Sequence, residues 1–447
     1  MTEKLRFAAG GFLFVAAVLT SAALIFIFGA FGLRGNSPIT GGYLVITVVG
    51  AFLLGRRRGD RFTLTSMDAV VAVFATAAAI ASLEHFDEGD FKEYILLVIN
   101  SILAYAAGRF LSNPVLSSIQ RRLLQISTPL VAAACIVTAP NLVGEIYARP
   151  FVFGFFHAAT VFCIAFGYMV IAYIYSDIEW RSKISLFFFA LIVSATAVFV
   201  ASTVKFVLIA IVATALFSLA CTIYRPVSIW RRVTLVLVAM TFGVVVGTVS
   251  RYSFVVKIDD QISNTGVFSG SVKPGQNVVK VERHAPPPGN ARSIGEPPSC
   301  NETFDLNNSI AIRRALLEDA LFFLPKSGFF GFGLDSFSRM SCFEGYQIHN
   351  SVLQAIIEFG WIAGIALIIL IAIPFRQFLF QQTFDANLLF LLSCIAFTSL
   401  LTLTYGQISR ELPLFLFLGS FAKASSKPAT TEGQAVSTLT PGVSAPI

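Results

Sequence analysis

His349 and Asn350 stand where a long polar stretch gives way to an apolar run, in the string Gln347-Ile348-His349-Asn350-Ser351. An imidazole at such a boundary can exchange a proton near pH 7, and Asn350 beside it is a candidate substrate-binding group. Upstream, Arg313 and Arg314 sit in SIAIRRALLEDALFFLP. At about 100° per residue, Arg314 shares the charged face of a helix with Glu318, an ordinary i,i+4 surface pair, while Arg313 points into the sector of Ile312, Leu316, Leu317, Ala320 and Leu324. A planar guanidinium aimed inward can grip phosphate oxygens bidentately; the competing use of Arg313 is to snorkel from an amphipathic helix to lipid headgroups. Lys205, in Ala201-Ser202-Thr203-Val204-Lys205-Phe206, and Arg251 are further cation candidates, each with an interfacial anchor as its plain alternative.

Cysteine and the remaining histidines add little chemistry. Cys135, Cys163, Cys221 and Cys394 fall inside apolar runs, where a thiol is a small buried hydrophobe. Cys300 and Cys342 share one polar segment, so an oxidising compartment would permit a bridge, against two unpaired thiols otherwise. No spacing fits a zinc site, and no metal is expected. His157 lies in an apolar run, His85 in an acidic loop and His284 beside a proline run.

The elements that must position these groups are membrane helices. Of 447 residues, 56% are hydrophobic and 13% charged, where a soluble domain carries roughly a quarter charged. That excludes a cytosolic enzyme or a single-span receptor. Apolar runs near 7–33, 39–55, 67–83, 94–112, 123–143, 151–176, 183–201, 203–224, 232–249, 351–374, 387–404 and 411–422 predict an all-α polytopic fold of about twelve spans. With the amino terminus inside, alternate short loops collect Arg56, Arg57, Arg58 and Arg61, then Arg109, Arg121 and Arg122, then Arg181 and Lys183, then Arg225, Arg231 and Arg232. Those loops read as cytoplasmic, which assigns the net charge of +7 to topology and removes a nucleic-acid partner. The chain then divides into a bundle over 1–250, an extracytoplasmic loop over 251–350, the last spans over 351–422 and a disordered cytoplasmic tail over 423–447. Within the loop, 259–305 reads as irregular and 309–325 as an amphipathic helix.

Past His349 the run continues IHNSVLQAIIEFGWIAG, with Gly360 and Gly364 at the spacing of a close helix approach. Glu358 lies on nearly the opposite helix face from His349 and roughly 13 Å deeper, so it reads as a hydrogen bonder of the bundle or as a protonated acid rather than a partner of the imidazole.

Arg313, then Gly331, Gly333 and Phe337, then His349, Asn350 and Leu353, then Glu358, Gly360 and Gly364 form an ordered pattern. It resembles the O-antigen ligase and lipid-linked glycan polymerase family of bacterial inner membranes. The detailed likeness runs from Arg313 to Gly364; the many spans extend it loosely over the chain. One departure is Lys205, where the family usually has Arg after Ser, and lysine cannot make the guanidinium fork. The resemblance implies a glycosyltransferase without cofactor or metal, in which an acceptor hydroxyl attacks the anomeric carbon of an undecaprenyl-pyrophosphate-linked glycan. His349 and Arg313 would be catalytic, with Lys205, Arg251, Arg314 and Asn350 binding pyrophosphate or glycan. The implied partners are that donor, a lipid-linked repeat or lipid A core as acceptor, membrane lipids and a chain-length regulator. A transporter or flippase is the alternative, but it would show internal repeats with matching broken helices, and none is visible.

Overall fold

A computed structural model describes residues 2–33, 37–57, 63–84, 91–144, 152–155, 158–224, 229–250, 278–280, 297–301, 303–305, 309–343, 346–380 and 385–426. Arg251, His85, His157, His284 and the tail past 426 lie outside them.

In lipid the backbone must satisfy its own hydrogen bonds, which a helix does within one run. The apolar runs form α1 (Glu3–Val18), α2 (Thr20–Ala30), α3 (Ser37–Gly55), α4 (Ser66–Glu84), α5 (Phe91–Arg109), α6 (Ile119–Gly144), α7 (Ala158–Ile174), α8 (Lys183–Ala201), α9 (Phe206–Tyr224) and α10 (Trp230–Ser250). After the long loop segment and its helix α11 (Ser309–Phe323) come α12 (Ser351–Phe380), α13 (Ala386–Thr404) and α14 (Leu412–Ser425). Among the described residues, α4, α5, α6, α8, α10, α12 and α13 are the 7 helices long and apolar enough to cross a membrane, with an eighth if α1 and α2 count as one. α3, α7, α9 and α14 supply apolar stretches of 10–17 residues, so full spanning length is reached fewer times than the dozen expected.

Other sequence expectations also need correction. The first run is broken, with α1 and α2 bent 85° apart. At the break Thr20 turns its hydroxyl back onto the Ala17 carbonyl at 2.7 Å, a side-chain bond that competes with the helix ladder. The segment read as irregular contains a short antiparallel ribbon of β1 (Val278–Lys280) and β2 (Thr303–Asp305). α14 carries on through Lys423 to Ser425, because Ala422-Lys423-Ala424 favours helix, so the tail cannot begin at 423.

α12 contains the largest departure. Gly360 adopts φ 84° and ψ 175°, which splits the helix. The break strands carbonyls of the preceding turn, and a loop answers them: Phe332 N–H donates to Ile357 O at 3.0 Å, Gly333 N–H to Glu358 O at 2.9 Å, and Trp361 N–H to Gly328 O at 3.1 Å. This backbone clasp explains the glycines. A Cβ on Gly360 would stand 2.0 Å from the Phe329 carbonyl oxygen, and one on Gly331 2.5 Å from that of Glu358. Gly360 is therefore a hinge point for a docked loop rather than half of a helix-helix seam. Glu358, just before it, is buried and accepts a bond from Gln354 Nε2 at 3.1 Å.

The clasp fixes one end of α11, and the Cys300–Cys342 disulfide fixes the strap beside it, with Cα atoms 5.2 Å apart. Asp319, on the buried face of α11, accepts from Ser299 Oγ at 2.6 Å and Ser341 Oγ at 2.8 Å, one on each side of the bridge. Burial holds its carboxyl above the ordinary range, although those serine bonds pull the other way.

At one end of the bundle three arginines bond to the protein itself. Arg6 donates to the carbonyls of Leu53 and Arg56, Arg122 to that of Ala8, and Arg109 to Asp68. α11 and the start of α12 occupy the opposite end.

Candidate functional site

Four chain segments meet at that opposite end, around one ring. The Arg313 guanidinium carbon lies 5.1 Å from the centre of the Tyr405 ring and 5.4 Å from that of Phe206. Phe206 meets Tyr405 edge-on at 6.1 Å, and the His349 ring is 6.4 Å from Tyr405. α11, the α8–α9 turn, the residue before the first turn of α12 and the loop after α13 thus contribute to a single cluster.

Local sequence accounts for each placement. The apolar stripe of α11 buries Ile312, Leu316, Ala320 and Phe323 against Phe337, Ile348 and Ile357, which swings Arg313 over the aromatic rings. Arg314 turns outward and pairs with Glu318 at 2.8 Å. No carboxylate pairs with Arg313 among the described residues, so a cation–π cradle holds it. Lys205 precedes Phe206 and is exposed, at the end of a tight turn closed by Val204 N–H to Phe199 O at 3.0 Å. That turn needs Thr203 at φ 63°, a left-handed conformation normally given to glycine. A β-branched residue there costs about 1–3 kcal/mol, and such strain concentrates at functional sites.

His349 keeps an exposed edge, yet the protein packed against its ring, and secondarily the Arg313 charge, hold the imidazole below its ordinary value. It is neutral at pH 7 and able to accept a proton. Asn350 uses its carbonyl oxygen to cap α12, accepting from Val352 N–H at 3.1 Å and Leu353 N–H at 3.0 Å, which gives it a structural task whatever else it does.

The loop after α13 is anchored from two sides. Asn100 Nδ2, within a π-helical stretch of α5, donates to Ser409 O at 2.7 Å, and Ser409 Oγ to Glu93 at 2.7 Å. Gln354 Oε1 accepts from Ile408 N–H at 2.9 Å. Behind Tyr405 the loop encloses a cavity of about 340 Å³ lined by His349, Gln347, Tyr405, Gln407, Arg410 and Glu411, among others. Arg313 and Lys205 do not line it. A second, mostly apolar cavity of about 820 Å³ between α2, α3 and α5 shares Val18, Ser21, Arg410 and Pro413 with the first.

Of the residues singled out from sequence, the fold gathers His349, Arg313 and the Lys205 turn, while Arg314 faces away. Among the described residues no group of three or more His, Cys, Asp or Glu is arranged to hold a metal. Sequence reading missed Tyr405, Phe206 and Glu411. The Arg410-Glu411 pair at the head of the shortest apolar run was the available signal, since charges there need partners. The cluster brings together a guanidinium that can bind an anion and an imidazole that can accept a proton. No family model, no curated protein and no solved structure matches this chain.

Proposed function

We propose that this protein transfers a polyprenyl-pyrophosphate-linked glycan to an acceptor hydroxyl at the outer face of a bacterial inner membrane. In this reading the chain crosses about twelve times, the arginine-rich end is cytoplasmic, and α11 and the disulfide are periplasmic. The observation that carries it is the placement of a neutral His349 and an aromatic-cradled Arg313 against the same Tyr405 ring, with Lys205 in the adjoining turn. His349 meets the acceptor hydroxyl. Arg313, whose fork of N–H donors no carboxylate among the described residues occupies, and Lys205 stabilise the negative charge that grows on the leaving pyrophosphate.

The glycan-transfer reading covers both a polymerase, which moves the growing chain onto a new lipid-linked repeat, and a ligase, which moves it onto lipid A core. Deleting the gene and identifying the material that accumulates decides between them. Single repeats on the lipid core mean a missing polymerase, long lipid-linked chains a missing ligase, and unchanged glycan contradicts the proposal.

A further inference from the structure

Glu411 is the carboxylate among the described residues that line the cavity beside His349. It is 8% exposed and stands in front of α14, in a place where an idle charge would be costly. Ser351 Oγ lies 2.6 Å from its Oε1, and Thr402 Oγ1 lies 2.8 Å from its Oε2. The Thr402 hydroxyl is also 2.9 Å from the Thr398 carbonyl, and it has one proton to give. With a proton on Oε2, Glu411 donates to Thr402 and Thr402 donates to Thr398. With Glu411 ionised, the Thr402 hydroxyl turns and donates to Oε2 instead. One hydroxyl rotation therefore satisfies the carboxyl in both protonation states, which is what a group that gains and loses a proton during turnover requires.

The titratable groups around the cavity are His349, Tyr168, Tyr405, Arg410 and Glu411. Arg410 already lies 3.8 Å from Glu93, and of the rest the tyrosines keep their protons at neutral pH while an imidazole and a carboxylate can accept one. A scaffold role needs one protonation state, and a Gln would serve it equally well.

We propose that Glu411 is a catalytic residue that takes the proton of the acceptor hydroxyl while His349 orients that hydroxyl, an assignment that rests on the glycan-transfer reading above. The acceptor O–H bond breaks and its proton passes to the Glu411 carboxylate. The freed oxygen pair forms the new bond to the anomeric carbon, and the anomeric carbon–oxygen bond to the pyrophosphate breaks with its electron pair leaving on phosphate. Glu411 then returns the proton to water when product departs.

Glu411→Gln reproduces the protonated carboxyl: its Nε2 donates to Thr402 and its Oε1 accepts from Ser351. The test compares purified full-length wild type and E411Q in lipid vesicles. It measures binding of undecaprenyl pyrophosphate, and transfer from lipid-linked glycan extracted from the host membranes, normalised to protein that binds. We expect E411Q to bind undecaprenyl pyrophosphate as wild type does and to transfer about 10²- to 10⁴-fold more slowly. Transfer by E411Q within twofold of wild type overturns the role of Glu411 and leaves the glycan-transfer reading standing. A wild type that binds the pyrophosphate but transfers no glycan overturns both.

Discussion

Arg109 and Arg313 sit at opposite ends of the bundle and are held in opposite ways. Arg109 is 3% exposed; its Nε lies 2.9 Å from Asp68, a further amino group donates to Asp68 at 3.1 Å and to the Thr63 carbonyl, and Tyr105 completes the carboxylate at 2.8 Å. Arg313 rests on two aromatic faces and has no carboxylate among the described residues. A cation whose donors are saturated by protein ties helices together. One held by ring faces keeps its directional donors for something that arrives. The two arginines thus do different work, and the groups that hold each one separate them.

Substitutions at the two arginines sharpen that contrast. Arg109→Ala leaves Asp68 buried without its counter-charge and should destabilise the protein by about 3–5 kcal/mol, read as loss of membrane-extracted protein and a lower Tm. Arg313→Ala should leave Tm nearly unchanged and lower glycan transfer by about 10² or more, and a comparable Tm loss at both sites would erase the distinction. A smaller effect follows from charge coupling. Because packing first and Arg313 second depress the His349 imidazole, the ring should stay neutral as pH falls through the ordinary histidine range, read from its imidazole resonances by NMR. The same titration for Arg313→Lys, which keeps the charge, should be unmoved, whereas in Arg313→Ala the His349 ring should protonate at a higher pH. At the bottom of the scale, Arg314→Ala removes an exposed pair with Glu318 and should change stability by less than about 0.5 kcal/mol and transfer by less than about twofold. Lys205→Arg should likewise be tolerated. A severe Arg314→Ala would mean that the wrong member of the pair was assigned.

The separation of Arg313 from Arg314 was legible in the sequence because it depends only on helical rotation within one element. The Cys300–Cys342 pairing was legible from shared compartment. Gly360 was not, since close approach and positive φ both call for glycine and look alike in a string; the clasp with Gly331 appears only once the two segments are docked. Tyr405 and Glu411 were invisible for a related reason. Their importance arises from contacts with Arg313, His349 and Ser351, which the chain brings together over long separations and which no local period encodes. The break between α1 and α2 was hidden inside a continuous apolar run, where hydropathy stays high although Thr20 diverts a backbone acceptor.

The account stands or falls on His349. In cells lacking the native gene, His349→Ala should reach wild-type abundance in the membrane, because the exposed ring and its contact with Tyr405 carry little of the fold. Glycan elongation or attachment should fall by about 10² or more. Normal glycan on such cells, at equal protein level, would contradict the assignment of this site.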